Sequence, residues 1–376
     1  MYGFRIIGFF YGVQTYRKFA HIAPYLPLFP GTGEGTLPGA RRGAERLKSY
    51  LWSVEREAFT ARINELAGRE EPFLFLVDFE GRKPQVYTPV EASEAGLFFH
   101  IRGHTNRTTV TARTRNVELR SKPVSFERYE QAFRLVRSHI LHGDSYLANL
   151  TFPTQIELNI GMEEVFDHGN APYRILKKDE FTCFSPECFI RTGNGKVYSY
   201  PMKGTMDASV PDARGKLMKS DKERWEHHTI VDLIRNDLSM ISRDVEVTRF
   251  RYIERVEGHR QSLLQVSSEI RGNLDPGWKK QLGTLLFSIL PAGSISGAPK
   301  KKTVEIIRKA EQAERGYFTG IFGYFDGENL DSGVMIRYME KTPDGMQFRS
   351  GGGITGHSDA ATEYDELIQK VYEPIV

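Results

Sequence analysis

Glu187 and Lys203 stand sixteen positions apart in SPECFIRTGNGKVYSYPMKGT, residues 185–205, around two short β-like runs and a TGNG turn. Apolar and β-branched residues alternate in CFIRT and KVYSYPM, and Asn194-Gly195 supplies the positive φ that a tight turn needs, so the pattern predicts a hairpin across Thr192–Gly195. Residues near the open ends of a hairpin lie close together, which makes the acid and the amine neighbours. One reading is a cross-strand ion pair at the surface, where such pairs are worth little. Residue types alone leave open whether the pair is of that kind or a functional one.

Two further pairs of acids share a spacing. Glu223 and Glu226 in KERWEHHTIVDLIRNDL, and Glu363 and Glu366 in SDAATEYDELIQK, are each three apart on a predicted helix and project from one face. Like charges at that spacing repel unless a cation sits between them. Each pair alone reads as a solvated helix face, but together they could supply the hard oxygen ligands that Mg²⁺ prefers, an ion that keeps several waters. His227 and His228 lie beside the first pair, yet hard-ion chemistry does not need them. Residues 351–356, GGGITG, allow close backbone approach, and their N–H groups could hold a ligand carboxylate. No GK[ST] follows, so this is not a phosphate-binding P-loop, and a plain strand-to-loop transition is the other reading.

These residues need elements to position them. The sequence predicts strands from Phe73 onward, in FLFLVDF and LFFHIRG, then a helix from Ser125 as cap to Gly143, with apolar residues at Phe126, Tyr129, Phe133, Val136 and Ile140. Strand-like SYLANLTFPTQIEL and the hairpin follow, then helices over Asp221–Met240, Ala298–Gln312 and Asp359–Tyr372, with strand-rich GYFTGIFGYFDGENLDSGVMIRYME before the last. Strands interspersed irregularly with helices, with several hairpin signals, favour an α+β fold with largely antiparallel sheet.

The chain has 376 residues, 40% apolar and 26% charged, with a net charge of +3. Its Lys and Arg residues are scattered among acids, which excludes the basic block of a nucleic-acid or membrane-surface protein. Two cysteines, Cys183 and Cys188, form neither a disulfide framework nor a zinc site, and a reducing, cytoplasmic setting is expected. The uncharged run Ile6–Thr15 is short of the ~20 residues that span a bilayer. No signal-peptide cleavage pattern follows it. Residues 28–43, rich in Gly and Pro, read as a linker or disordered stretch.

Seven stretches, in order, resemble the chorismate-utilising enzyme family, and within it the aminodeoxychorismate synthase large components: GDSYLANLT, SPECF, PMKGT, KERWEHHTIVDLIRNDL, GSISGAPKKKTVEII, GIFGYFDGENLDSGVMIR and GGGITGHSDAATEYDE. The resemblance implies a chorismate-binding fold in which two antiparallel-rich halves form a β-sandwich core, with helices outside and the active site in the cleft. It implies an extension of uncertain structure over residues 1–60 and a catalytic domain over 61–376. It further implies a Mg²⁺ cofactor with Glu226 and Glu366 as direct ligands and Glu223 and Glu363 on metal-bound waters. Arg337 and the backbone near Gly353 would bind substrate carboxylate, joined by Gly204, Thr205 and Ser294.

Within the family, Lys203 decides the subgroup. Anthranilate synthases carry alanine in the PIAGT form of the motif, whereas PMKGT resembles the PIKGT of aminodeoxychorismate synthases. A lysine there would attack C2 of chorismate as the C4 hydroxyl leaves, ammonia would then enter at C4, and Glu187 would protonate the departing hydroxyl. The expected product is 4-amino-4-deoxychorismate, on the way to p-aminobenzoate and folate. Ammonia is expected from a separate glutamine amidotransferase, since neither cysteine sits in a nucleophile-elbow context. The alternatives are anthranilate synthase component I and an isochorismate or salicylate synthase, and the YLANLT segment holds no lysine of the isochorismate type. The chain departs from the family at Gln265, where an HLVS histidine is usual, and at Phe318, where an RGxY tyrosine is usual, with Tyr317 beside it. It also shows no LLES near its N-terminus.

Overall fold

The computed structural model describes residues 38–110, 117–219, 221–256 and 263–372. The expectations for Ile6–Thr15 and for residues 28–37 fall outside these. The chain divides into two units, Met1–Ser49 and Tyr50–Val376. In the first, the described residues are the start of the helix Pro38–Gly68. That helix corrects the expected linker over 28–43, at least from Pro38 onward. Its later turns repeat Phe59, Ile63 and Leu66 at helical spacing, all buried, and this periodicity outweighs the glycines and prolines around its start. Among the described residues no helix is long and apolar enough to cross a membrane.

The run FLFLV is apolar at every position because the strand Phe73–Val77 is covered on both faces. Phe73, Phe75 and Val77 pack with Phe59, Ile63, Leu282 and Leu286 on the helical side. Leu74 and Leu76 pack instead with Phe99, Tyr173, Phe181 and Tyr338 of a second sheet. The molecule is therefore an α+β sandwich, two antiparallel sheets face to face with helices outside. The sheets come close at Gly333, where an added Cβ would stand 2.8 Å from the Tyr173 ring. No side chain fits there.

The first sheet runs in the order 202–207, 263–273, 196–199, 188–193, 330–334, 321–325, 73–77 and 85–87, with 243–256 also paired to 263–273. The second runs 297–298, 147–158, 345–354, 338–342, 181–185, 173–177, 97–101 and 104–105, with 119–122 on 147–158. The predicted hairpin forms, Val197 opposite Thr192, with Asn194 and Gly195 at φ 52° and 71°. Its second strand, however, stops at Ser199. Lys203 lies on a separate strand, Met202–Asp207, which leaves the hairpin after Pro201 and pairs with Leu263–Asn273. The GGGITG run is the strand-to-loop transition that its sequence allowed: its three glycines are inside the strand Gly345–Ile354, opposite Thr151, Leu150 and Asn149, and the chain leaves the strand at Thr355.

The helices fall where their caps predict. Ser125 accepts from Arg128 N at 3.3 Å ahead of the helix Phe126–Leu141, and Asp359 accepts from Thr362 N at 3.0 Å ahead of Ala360–Gln369. The helix Asp221–Ser239 packs on the strands around Lys203, and Ala360–Gln369 packs on Gly345–Ile354. Between the sheets and the helix Lys300–Glu311 lies a buried ion pair. Arg315 Nη2 is 2.5 Å from Glu311 Oε1, with side chains 1% and 5% exposed. Glu311 Oε1 also accepts from Thr151 N and Oγ1, both at 2.9 Å. Arg315 donates in addition to Ile295 O at 2.9 Å and Asn149 O at 2.6 Å. Removing one member leaves the other charge buried, so Arg315→Ala is expected to destabilise the fold by about 3–5 kcal/mol, read as a drop in the urea midpoint. A loss under about 1 kcal/mol would show that the pair does not hold these segments together.

Candidate active site

A cavity of about 230 Å³ opens where the strand of Lys203, the glycine strand and the last helix meet. Lys203, Gly204, Glu187, Ser294, Arg337 and Gly353 all line it, as does Glu366. Thr205 belongs to the same strand, but its side chain lies outside the described residues.

Glu187 and Lys203 do not form the surface ion pair that the hairpin allowed. Glu187 is half-buried just before the strand Cys188–Gly193 and accepts a short hydrogen bond from Ser294 Oγ. Burial pushes its carboxyl above the usual range, against the opposing pull of the Ser294 hydroxyl and of Lys203, Lys370 and Arg337. Lys203 pairs instead with Glu226, Nζ to Oε2 3.4 Å. Burial alone would depress the Lys203 ammonium, but the carboxylates of Glu226, Glu366 and Glu223 outweigh it and hold the amine above its ordinary value.

Both acid pairs reach this region, one from each helix. Glu223 Oε2 stands 3.0 Å from the place a Cβ on Gly204 would take, and Gly204 is itself at φ 81°. Glu363 Oε2 and Glu366 Oε1 stand 3.4 and 3.6 Å from a Cβ on Gly352. On Gly353 an added Cβ would lie 3.2 Å from Lys203 Nζ. The glycines thus let charged side chains lie directly on backbone. An all-carboxylate donor set suits a hard divalent cation that retains waters. Among the described residues, though, no three His, Cys, Asp or Glu side chains already converge as a metal centre. The histidines take no part: His227 Nε2 is bonded to Ser268 Oγ at 2.6 Å, its pKa lowered to about 4 chiefly by burial, and His228 lies against Phe250.

Arg337 lines the cavity with φ 54° and donates through Nη1 to Lys370 O at 3.0 Å. Lys370 itself was not singled out in the sequence. Its Nζ bonds Glu366 Oε1 at 2.6 Å and Gly351 O at 2.7 Å, and burial holds it below the usual lysine range. The signal was present as the i, i+4 spacing from Glu366, which also describes many solvated pairs. Gln265 and Phe318 both face the cavity, so the two departures from the family pattern alter its wall. Tyr317 does not replace the missing hydroxyl, because its OH donates to Lys83 O at 2.8 Å.

Fold and cleft together define a protein of the chorismate binding enzyme family, which matches residues 73–375, and the chain belongs to that family. It is 51% identical over 319 residues to a protein of Pasteurella multocida named an uncharacterized PabA-like protein, covering 85% of this chain and 98% of that one. It is 30% identical to aminodeoxychorismate synthase component 1 of Klebsiella aerogenes, over 66% of this chain and 57% of the other. Among solved structures it resembles anthranilate synthase component I of Streptococcus pneumoniae, with TM-score 0.57 and 27% identity over 67% of this chain and 58% of that one. The chain thus spans nearly all of the first relative and under two thirds of the other two. It is a chorismate-utilising enzyme.

The close approach at Gly353 makes a simple test. Gly353→Ala places a methyl against Lys203 Nζ in the cleft, and calorimetry should show chorismate binding weakened about tenfold or more with little change in melting temperature. Unchanged binding would mean that the substrate does not use this wall.

Proposed function

We propose that this enzyme converts chorismate and ammonia to 4-amino-4-deoxychorismate and water through a lysine-bound intermediate, as an aminodeoxychorismate synthase component I. The observation that carries this reading is the placement of Lys203 in one small cavity with Glu187, an acid held by a hydroxyl and raised in pKa by burial. Lys203, once its ammonium has given a proton to solvent, attacks C2 as the free amine, both conjugated ring double bonds shift, and the C4 hydroxyl leaves as water with the Glu187 proton. Ammonia then attacks C4, both double bonds shift back, and the C2–N bond breaks to free Lys203 as the neutral amine. The new ammonium gives a proton to Glu187, which restores the acid. Covalent capture divides one hard displacement into two, and the acid improves a poor leaving group.

Arg337 and the Gly353 backbone would hold the substrate carboxylates. A Mg²⁺ ion on Glu226 and Glu366, with Glu223 and Glu363 on its waters, would supply further positive charge for them. Ammonia would come from a separate glutamine amidotransferase. Neither thiol suits glutamine hydrolysis: burial pushes Cys183 well above its ordinary value and Cys188 up to about 12. The likeness to anthranilate synthase keeps that activity as the alternative, and Lys203 is the residue that speaks against it.

Chromatography of the products from chorismate, Mg²⁺ and ammonium separates the two, and anthranilate as product would overturn the proposal. Without ammonia, chorismate should leave an adduct on the peptide carrying Lys203, seen by mass spectrometry and lost in Lys203→Ala. Full-rate turnover by Lys203→Ala would reduce the lysine to an electrostatic role.

The acid has its own signature in pH. Glu187 works protonated, so activity should be present below its pKa and fall as pH rises through it. The Ser294 hydroxyl favours the ionised form, so Ser294→Ala should raise that pKa further and move the alkaline limb of the kcat profile to higher pH. A limb that stays in place, or moves down, contradicts the assignment of Glu187.

A further inference from the structure

Two helices bring carboxylates up to glycine backbone, Glu223 at Gly204 and Glu363 and Glu366 at Gly352, and among the described residues two lysines are ion-paired to acids of these helices. Lys203 Nζ stands 3.4 Å from Glu226 Oε2, and Lys370 Nζ stands 2.6 Å from Glu366 Oε1. One lysine comes from the strand Met202–Asp207 of the first sheet, the other follows the helix Ala360–Gln369 over the second. Each takes one of the two carboxylates that the reading above gives to the metal as direct ligands. Acids gathered in a partly dry cleft repel one another, and an ammonium on each side relieves this at modest cost because it is compact and carried on a flexible stem.

We propose that Lys203 and Lys370 are stand-in counter-ions for the divalent cation, and that the cation binds by taking Glu226 and Glu366 from them. This rests on the reading of those two glutamates as metal ligands. The exchange is local. Lys370 keeps the Gly351 carbonyl at 2.7 Å when Glu366 turns away. Lys203 gives up its ion pair and is left on the wall of the cavity that Glu187 also lines. The metal's measured affinity is then a difference, its own attraction to the carboxylates minus that of the ammoniums it displaces. One consequence is order: the cation arrives before the amine is released towards substrate.

The test is titration calorimetry of Mg²⁺ into the full chain without chorismate, on wild type, Lys203→Met, Lys370→Met and Lys203→Arg, each checked for folding by its thermal melt. Methionine keeps an unbranched flexible stem, one atom shorter, and removes the charge, whereas arginine keeps the charge. Each methionine variant should bind Mg²⁺ about tenfold tighter or more, and Lys203→Arg should bind no tighter than wild type. Binding by the methionine variants alone, with none by wild type, would support the proposal in its strongest form. Equal or weaker binding by both methionine variants overturns the exchange while leaving the metal ligands in place. No Mg²⁺ binding by any of the four proteins overturns the exchange and the ligand assignment together.

Discussion

The buried pair of Glu311 and Arg315 is the constraint from which the cleft is built. Each charge is compensated on several sides, by the other and by main-chain groups of Asn149, Thr151 and Ile295. A buried ion pair contributes little net stability by itself, but it has few acceptable geometries, and this makes it a device for position. It fixes the end of the helix Lys300–Glu311 against the strand Leu147–Leu158 and against the short turn Gly293–Ile295. That turn carries Ser294, whose hydroxyl holds Glu187. Arg315 also reaches Thr319 Oγ1 at 3.3 Å, and Thr319 sits on the cavity wall at φ 60°, a conformation that a β-branched residue adopts only under constraint. The orientation of Glu187 thus depends on a charge pair that does not itself line the cavity.

Electrostatics in the cleft separate two kinds of site. Lys203 and Lys370 are both half-enclosed amines near Glu366, yet their shifts have opposite signs. Three carboxylates overcome burial for Lys203, whereas for Lys370 burial outweighs its one strong acid and like charge from Lys203 and Arg337 adds to it. Glu187 differs from the helix acids in having a neutral hydroxyl as its close partner. An acid held so can keep a proton that an ion-paired acid would give up.

How much of this was legible in the sequence follows from how local each signal is. Helix caps at Ser125 and Asp359, the Asn194-Gly195 turn and the apolar spacing of the helices are properties of a few adjacent residues, and they appear where the pattern places them. The two acid pairs were legible for the same reason, since three positions along a helix define a face. Lys203 was harder. The run KVYSYPM reads as one strand with a proline near its end, and the pairing of Met202–Asp207 with Leu263–Asn273, some sixty residues on, is what separates Lys203 from the hairpin. The glycine run read equally well as strand or turn, because a strand that must lie against side chains needs glycine as much as a turn does. Glu311 and Arg315 were invisible, since an i, i+4 pair on a solvated face has the same sequence as this one. Burial is a property of the whole fold.

The strand Gly345–Ile354 lies inside the second sheet, between Leu147–Leu158 and Tyr338–Thr342. During vectorial synthesis the flanking strand Leu147–Leu158 emerges about two hundred residues earlier, which at ribosomal speed is a delay of roughly ten to forty seconds. For that interval the nascent sheet has a gap in its interior, with main-chain donors and acceptors unmatched along the longest pairing it will make. The same late segment supplies the glycine wall, Glu363, Glu366 and Lys370. Until that segment has been made, neither the full hydrogen-bond ladder of the second sheet nor half of the charged cleft can form, so this architecture cannot be completed before the last part of the chain is out.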